Sequence, residues 1–238
     1  MSAGPTPLVR VAPEVLTHSE EVCIMATISA PARSVRQEAQ LEGAPVAATL
    51  DWGNSAPLAL LAFAVTTFIL SMINAKAVSV GTTPVVFGVA LMFGGLAQLI
   101  AGIIQLRTGN TFSGVLFAGF GAFWLSFFAL GQWFLKAVPV TQLGHAVGLF
   151  IYAFGIFVVV MLVASFRTNV VVVLALAILV GVFFLLGAGN YGAHTTLIHW
   201  GGYLGLAAAA CAFYLALAEL CEFSYGRPVL PVWSLAKR

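Results

Sequence analysis

Long apolar runs, interrupted at regular intervals by short polar breaks, occupy the chain from residue 54 to residue 218. Only four residues in this stretch carry a formal charge, namely Lys76, Arg107, Lys136 and Arg167, and they lie about 30 residues apart. A helix that crosses a bilayer needs about 20 apolar residues, and a turn accounts for the remainder of each interval. The four bases are therefore predicted to lie in or beside the turns between membrane-spanning helices.

The apolar runs between the breaks define six predicted helices, and they are continuously apolar rather than alternating. Alternation would indicate a transmembrane β-barrel, so the pattern predicts an all-α integral membrane protein. The positions of the prolines support the prediction of helices, because no proline lies in the middle of a run. The predicted helices are Ala56–Ala75, Pro84–Leu106, Thr111–Phe134, Leu143–Phe166, Val170–Gly189 and Leu197–Phe223.

Composition and charge exclude several classes of protein. Hydrophobic residues make up 61% of the 238 residues and charged residues 8%, whereas soluble domains contain roughly 45–50% apolar and about 25% charged residues. A soluble enzyme is therefore not expected. The net charge of +2 gives no reason to expect a nucleic acid as partner.

The domain organisation follows from the same pattern. Residues 1–50 are predicted to be a flexible cytosolic N-terminal tail without a secretory signal, since they hold five prolines and no long apolar run. Residues 51–226 are the predicted six-helix channel domain, and residues 227–238 a short cytosolic C-terminal tail.

Basic residues near the ends of the runs predict the orientation. With six spans, both termini lie on the same side, and the positive-inside rule assigns the more basic side to the cytoplasm. Lys76 and Lys136 are the only bases on the opposite side. The chain is thus expected in the cytoplasmic (inner) membrane as a multi-pass protein. The termini side holds Arg36, Arg107, Arg167, Arg227, Lys237 and Arg238.

No Asp, Glu, Lys or Arg lies near the predicted centre of any span, which argues against a buried ionic relay of the kind that many pumps use. The remaining polar residues are amides, hydroxyls and aromatics, a lining that suits a path for a small solute. His194 and His199 are five residues apart and do not share a helical face, so we expect no metal site. No nucleophile motif or acid–base pair indicates an enzyme or a cofactor.

The start of the first predicted helix is a candidate anion site. Asn54 can act as its N-cap, with Ser55, Ala56 and Pro57 in the first turn. Free N–H groups at a helix N-terminus attract anions. The alternative, that Asn54 only caps the helix, is equally compatible with the sequence.

The segment Asn54–Leu60 resembles the signature N-P-A-P-L-G-L of the acetate uptake transporter family, which includes the bacterial succinate–acetate permeases. Ser55 replaces the first proline of that signature, and Ala59 replaces its glycine. The resemblance extends from about Asn54 to Val232. Its other motifs are Phe93–Gln98, Gly109–Phe112, Gly121–Leu125, Gly189–Asn190, Ile198–His199, Glu219 and Tyr225–Pro231.

The resemblance implies a six-helix protomer that assembles as a homo-hexamer in the lipid bilayer, with a path for acetate and related small carboxylates in each protomer. It further implies a hydrophobic constriction formed by Phe63, Phe120 and Leu179, where Phe120 replaces a tyrosine found in several relatives. The residues expected along the rest of the path are Asn54, Ser55, Ala56, Pro57, Leu58, Gln98, Asn190 and Ala212, the last of which is linked to substrate size.

These observations predict a membrane channel or transporter for acetate, with succinate and propionate as related substrates. Carboxyl pKa values lie near 4, so such an acid is ionised at neutral pH, and a dry apolar ring would favour its neutral form. Passage is expected either with a proton or down the electrochemical gradient. The alternatives are a channel for ammonia or water, and a membrane sensor or scaffold that uses the N-terminal tail.

Overall fold

The structure, a computed structural model, describes residues 52–235. The predicted N-terminal tail lies outside this part of the chain. Residues 52–235 contain six helices that are long and apolar enough to span a membrane. We number them α1 to α6, and their bounds are Ala56–Asn74, Val80–Arg107, Thr111–Ala137, Val140–Ser165, Val170–Tyr191 and Thr195–Tyr225.

The predicted helices agree with the observed ones to within a few residues at most ends. The largest differences are at the start of α2, the end of α3 and the start of α4. Helices α2 and α4 each begin with a short 3-10 turn, over Val80–Thr82 and Val140–Gln142. The hydroxyl of Ser79 accepts a hydrogen bond from the Gly81 N–H at the first of these turns. Polar residues can therefore start a helix earlier than the apolar run suggests.

Two helices change their winding inside the bundle. In α2 the segment Met92–Ala97 is a π-helix, and in α3 the segment Leu130–Phe134 is another. Such π-helical segments are rare in proteins overall, and those that do occur are often found at functional sites. The first one ends directly before Gln98.

The helices pack by close approach of small residues. The main pairs are α1 with α6, α2 with α3, and α5 with both α4 and α6. A Cβ added at Gly121 of α3 would lie 2.6 Å from the Leu99 nitrogen of α2, and one at Gly202 would lie 2.7 Å from the Asn74 carbonyl carbon of α1. Side chains at these positions would force the helices apart, as expected for packing in lipid.

The chain beyond α6 returns to the bundle. Gly226 turns it with a φ of 66°, which glycine adopts readily. The Val170 N–H then donates to the Trp233 carbonyl at 3.0 Å, and the Leu235 N–H donates to the Thr168 carbonyl at 2.8 Å. Residues 233–235 of the predicted C-terminal tail are thus fixed beside the start of α5.

Candidate functional site

Two of the cavities within residues 52–235 meet at three side chains. The larger, about 370 Å³, extends to Lys76 in the α1–α2 turn, and we call it the lysine-side cavity. The smaller, about 140 Å³, extends to Glu219 near the end of α6, and we call it the glutamate-side cavity. The residues that line both are Phe63, Phe120 and Leu179.

The three shared side chains come from α1, α3 and α5 and are almost completely buried. Their exposed fractions are 7% for Phe63, 3% for Phe120 and 4% for Leu179. The rings of Phe63 and Phe120 have their centroids 5.0 Å apart, a separation typical of packed aromatic pairs. The structure thus brings together the three residues that the resemblance named, and they form an apolar partition between the two cavities.

Polar groups in the lysine-side cavity include two that have no hydrogen-bond partner among the described residues, the Thr67 hydroxyl and the Trp124 indole N–H. Both residues are at least nine-tenths buried. Asn190 also lines this cavity, although its Nδ2 already donates to the Leu186 carbonyl at 2.8 Å. An indole N–H can only donate, and that of Trp124 is buried in the wall of this cavity without an acceptor among the described residues.

The glutamate-side cavity contains an amide, a carboxyl group and a small residue. Gln98 is fully buried, and neither its Nε2 nor its Oε1 has a hydrogen-bond partner in residues 52–235. Ala212, which is 3% exposed, and Glu219 line the cavity from α6, and Ala56 lines it from α1. Gln98 and Ala212, which the resemblance placed on the path, thus both line this cavity.

The prediction that Asn54 occupies the N-cap position is wrong by one residue. Helix α1 begins at Ala56, and Ser55 holds the N-cap position without a side-chain capping bond. Its hydroxyl is committed elsewhere, since it donates to the Ala101 carbonyl at 2.8 Å and accepts from Gln105 Nε2 at 3.2 Å. Asn54 still binds the helix start, because its Oδ1 accepts from the Ala56 N–H at 3.0 Å.

The predicted anion site at the start of α1 has a carboxyl group of the protein beside it. Asn54 Nδ2 donates to Glu219 Oε2 at 3.0 Å, while Asn54 Oδ1 also accepts from Gln105 Nε2 at 2.8 Å. Among the predicted path residues of the signature, Ala56 lines a cavity, whereas Asn54, Ser55, Pro57 and Leu58 line neither cavity.

The cavity residues that the sequence reasoning did not single out as path residues include Thr67, Trp124 and Glu219. Helical spacing contained a signal for each, because residues four apart share a helix face. Thr67 follows Phe63 by four positions, and Trp124 follows Phe120 by four. Glu219 follows Ala212 by seven, which again returns to the same face.

The chain was compared with known proteins. The succinate-acetate/proton symporter SatP of Escherichia coli K12 is 30% identical over 181 residues, which cover 75% of this chain and 94% of that protein. Ammonia transport outward protein 2 of Saccharomyces cerevisiae is 37% identical over 174 residues, which cover 71% of this chain and 62% of that protein. The chain thus spans about three fifths of the length of this yeast relative.

A solved structure has the same fold. The structure of the bacterial acetate channel SatP superposes with a TM-score of 0.71 at 29% identity, covering 76% of this chain and 99% of that chain. Together with the six apolar helices, these similarities make the chain a multi-pass membrane protein, and the two relatives are named as transporters rather than enzymes.

The family comparison covers most of the sequence. Residues 38–237 match the GPR1/FUN34/yaaH family, a match that begins before the signature at Asn54 and extends beyond Val232. The resemblance to acetate transporters that the motifs indicated is confirmed by this match, by the symporter and by the acetate channel structure. The chain belongs to the GPR1/FUN34/yaaH family.

Proposed function

We propose that this protein is a channel or transporter for acetate and related small carboxylates, among them succinate and propionate. The observation that carries the proposal is the partition of Phe63, Phe120 and Leu179 between two cavities. A path through the bundle would join the two cavities, and the three shared side chains would be its constriction.

The chemistry of the partition determines what can cross it. Moving an ion without its hydration shell into an apolar ring is opposed by a large desolvation free energy. Acetate with a pKa near 4 to 5 is an anion at neutral pH, so it would cross either as the neutral acid or with part of its hydration shell retained. The Trp124 indole N–H in the lysine-side cavity is a donor that could receive the carboxylate before the partition.

The cavities differ in charge, and this supports an orientation. Lys76 is the charged residue that lines the lysine-side cavity, and Glu219 is the one that lines the glutamate-side cavity. The basic residues Arg107, Arg167 and Arg227 lie at helix ends on the glutamate side, which the positive-inside rule assigns to the cytoplasm. In this proposal both termini are cytosolic and the lysine-side cavity faces outward from the cytoplasmic (inner) membrane.

The proposal includes a homo-hexamer, as the family resemblance implies. Large apolar side chains are exposed along the helices, for example Leu149, Ile156 and Val163 on α4. In a membrane such a surface is available to lipid and to neighbouring protomers alike. Native mass spectrometry of the purified protein tests the assembly, and a monomer released under gentle conditions would contradict it.

Ammonia transport is the second candidate, because a relative that is 37% identical is named for it. An apolar constriction also favours a neutral molecule such as ammonia. Ammonia also accepts a hydrogen bond through its lone pair, so the Trp124 N–H does not distinguish the two candidates. The two functions separate by competition, since propionate should inhibit acetate uptake while ammonium should not.

The test of the proposed function is flux in liposomes that contain the purified protein. Labelled acetate uptake is measured under an imposed pH gradient without voltage, and then under an imposed voltage without a pH gradient. Uptake that follows the pH gradient indicates entry with a proton, and uptake that follows voltage indicates conduction of the anion. If protein-containing liposomes take up acetate no faster than empty ones under either gradient, the proposal is wrong.

A further inference from the structure

A third cavity, of about 170 Å³, lies where α2, α3 and α4 meet, and we call it the α3–α4 groove. Every residue that lines it is apolar: α2 contributes Phe87, α3 contributes residues between Phe127 and Leu135, and α4 contributes residues between Ala146 and Phe150. All of them are half-buried or exposed. The groove therefore opens on the outer surface of the bundle and is not a void inside its core.

The winding and packing of α3 account for this groove. Helix α4 packs mainly on α5 rather than on α3, so a gap remains between the two sequence neighbours. The π segment Leu130–Phe134 of α3 borders the gap. A Cβ added at Gly131 would collide with the Phe87 ring of α2, so this ring closes the groove on its inner side.

The groove has the length of a lipid chain in one leaflet. Phe127 lies ten residues before Ala137, where α3 ends, and Phe150 lies ten residues after Val140, where α4 begins. At about 1.5 Å per residue the groove thus extends about 15 Å inward from the α3–α4 turn. The hydrocarbon core of a bilayer is about 30 Å thick, so the groove extends along the whole depth of one leaflet.

The end of the groove at the α3–α4 turn has the features of a headgroup site. Lys136 is exposed and directly follows Leu135, which lines the groove. Within residues 52–235 the acids are Glu219 and Glu222, near the opposite end of the bundle, so no carboxylate of this part of the chain neutralises Lys136. Trp133 is 62% exposed at the same end, and tryptophan is enriched at the depth of lipid headgroups. An uncompensated base at this depth attracts an anionic headgroup.

We infer that the α3–α4 groove binds one acyl chain of an anionic phospholipid, whose headgroup lies at Lys136. Phe127 and Val147 line both this groove and the lysine-side cavity. The bound chain would therefore lie against the outer side of that cavity's wall and take the place of a protein side chain there. This inference does not depend on which solute the protein carries.

The test is photolabelling of the full chain in phosphatidylcholine vesicles. They contain a small fixed fraction of phosphatidylglycerol with a diazirine in the middle of one acyl chain, and peptide mass spectrometry locates the label after irradiation. We expect the label to concentrate between Phe127 and Phe150, on the residues of the groove. When plain phosphatidylglycerol replaces part of the phosphatidylcholine, the groove label should fall. Label on the exposed surface of α4, at Leu149 and Ile156, should stay constant because lipid exchanges there without selection.

Two variants separate the chain contact from the headgroup contact. Ala146→Phe fills the groove and should abolish its label, whereas Ala153→Phe should not, because Ala153 is exposed on the same helix and lines none of the three cavities. Lys136→Gln should remove the preference for phosphatidylglycerol over phosphatidylcholine, which we expect to be about fivefold in the wild-type protein for one base near a membrane surface. Lys76→Gln removes the same charge at the same end of the bundle and should keep that preference.

The outcomes decide the inference without any measurement of acetate. Groove label that is no stronger than that at Leu149 and Ile156, or that does not fall as phosphatidylglycerol is added, would mean nonselective surrounding lipid and would overturn it. A groove without label would mean that protein covers it, either a second copy of the chain or residues 1–51, and would overturn it as well. If Ala146→Phe does not fold, the competition in wild-type protein and the exposed variant Lys136→Gln still decide the question. Acetate flux can fail or succeed independently of each of these results.

Discussion

Asn54 Nδ2 donates a hydrogen bond to Glu219 Oε2 at 3.0 Å, which connects the start of α1 to the last part of α6. The two residues are 165 positions apart in the sequence. The contact places a carboxyl group of the protein at the helix N-terminus that was predicted to attract a substrate carboxylate. It therefore changes what the start of α1 is expected to do during transport.

Removing the charge of Glu219 should strengthen acetate binding from the glutamate side. Glu219→Gln keeps an oxygen that can accept from Asn54 but removes a negative charge that repels a second anion. We expect the KM for acetate from this side to fall about threefold at low salt, with a smaller effect at high salt because salt screens the charge. The measurement is acetate flux from the glutamate side at two ionic strengths. A KM that is unchanged at both would show that Glu219 does not act on the substrate.

Loss of the Asn54 side chain should destabilise the bundle. Asn54→Ala leaves the Ala56 N–H and one Gln105 N–H without their acceptor, and unpaired buried groups cost about 1–3 kcal/mol. Thermal unfolding in detergent should show a clear fall in Tm. Gln142→Ala is the control, since this exposed amide contacts only His145. An equal fall in both variants would mean that the Asn54 contacts contribute nothing specific.

Trp124→Phe should weaken acetate binding from the lysine side. The indole N–H has no partner among the described residues, so its removal breaks no bond within the protein, while the aromatic ring is retained. We expect a higher KM for acetate from the lysine side, by about fivefold for one lost hydrogen bond, and a small fall in Tm because phenylalanine leaves part of the buried indole volume empty. Trp133→Phe on the same helix is the control, because Trp133 is 62% exposed. A lower Tm with an unchanged KM would assign Trp124 to packing alone.

Ala212 should limit the size of the acid that passes. It is 3% exposed and lines the glutamate-side cavity, so Ala212→Leu fills part of about 140 Å³. We expect propionate uptake to fall more than acetate uptake when both are measured in the same liposomes. Ala210→Leu is the control, because Ala210 is exposed on the same helix. Equal losses for the two acids would argue against a role in size selection.

The pattern of apolar and charged residues predicted the helices well because lipid excludes charged residues from membrane-spanning segments. Each lone base from Lys76 to Arg167 lies in or beside a turn, since a charge is costly within the hydrocarbon. Hydropathy carries no information about winding, and the π segment before Gln98 was therefore not predicted. The return of residues 233–235 to the start of α5 depends on backbone hydrogen bonds, which composition does not predict.

The candidate site could be predicted in part. The family resemblance named Phe63, Phe120 and Leu179, and helical spacing could have added Thr67 and Trp124. Neither source indicates which polar groups remain unpaired. Gln98 and Gln105 are the same residue type on one helix, seven positions apart, and only their neighbours in space distinguish the amide that braces α1 from the one that faces a cavity.

The central claim is that solute crosses the bundle between Phe63, Phe120 and Leu179, and substitution at Leu179 tests it most directly. Leu179→Trp should fill the partition and lower acetate uptake in liposomes at least tenfold, in keeping with control by a hydrophobic constriction. Leu179→Ala should widen it and admit the larger acid lactate. Leu174→Trp is the matched control, because Leu174 is 51% exposed on the same helix, and its uptake should equal that of wild-type protein. Wild-type rates of acetate uptake in folded Leu179→Trp would contradict the claim.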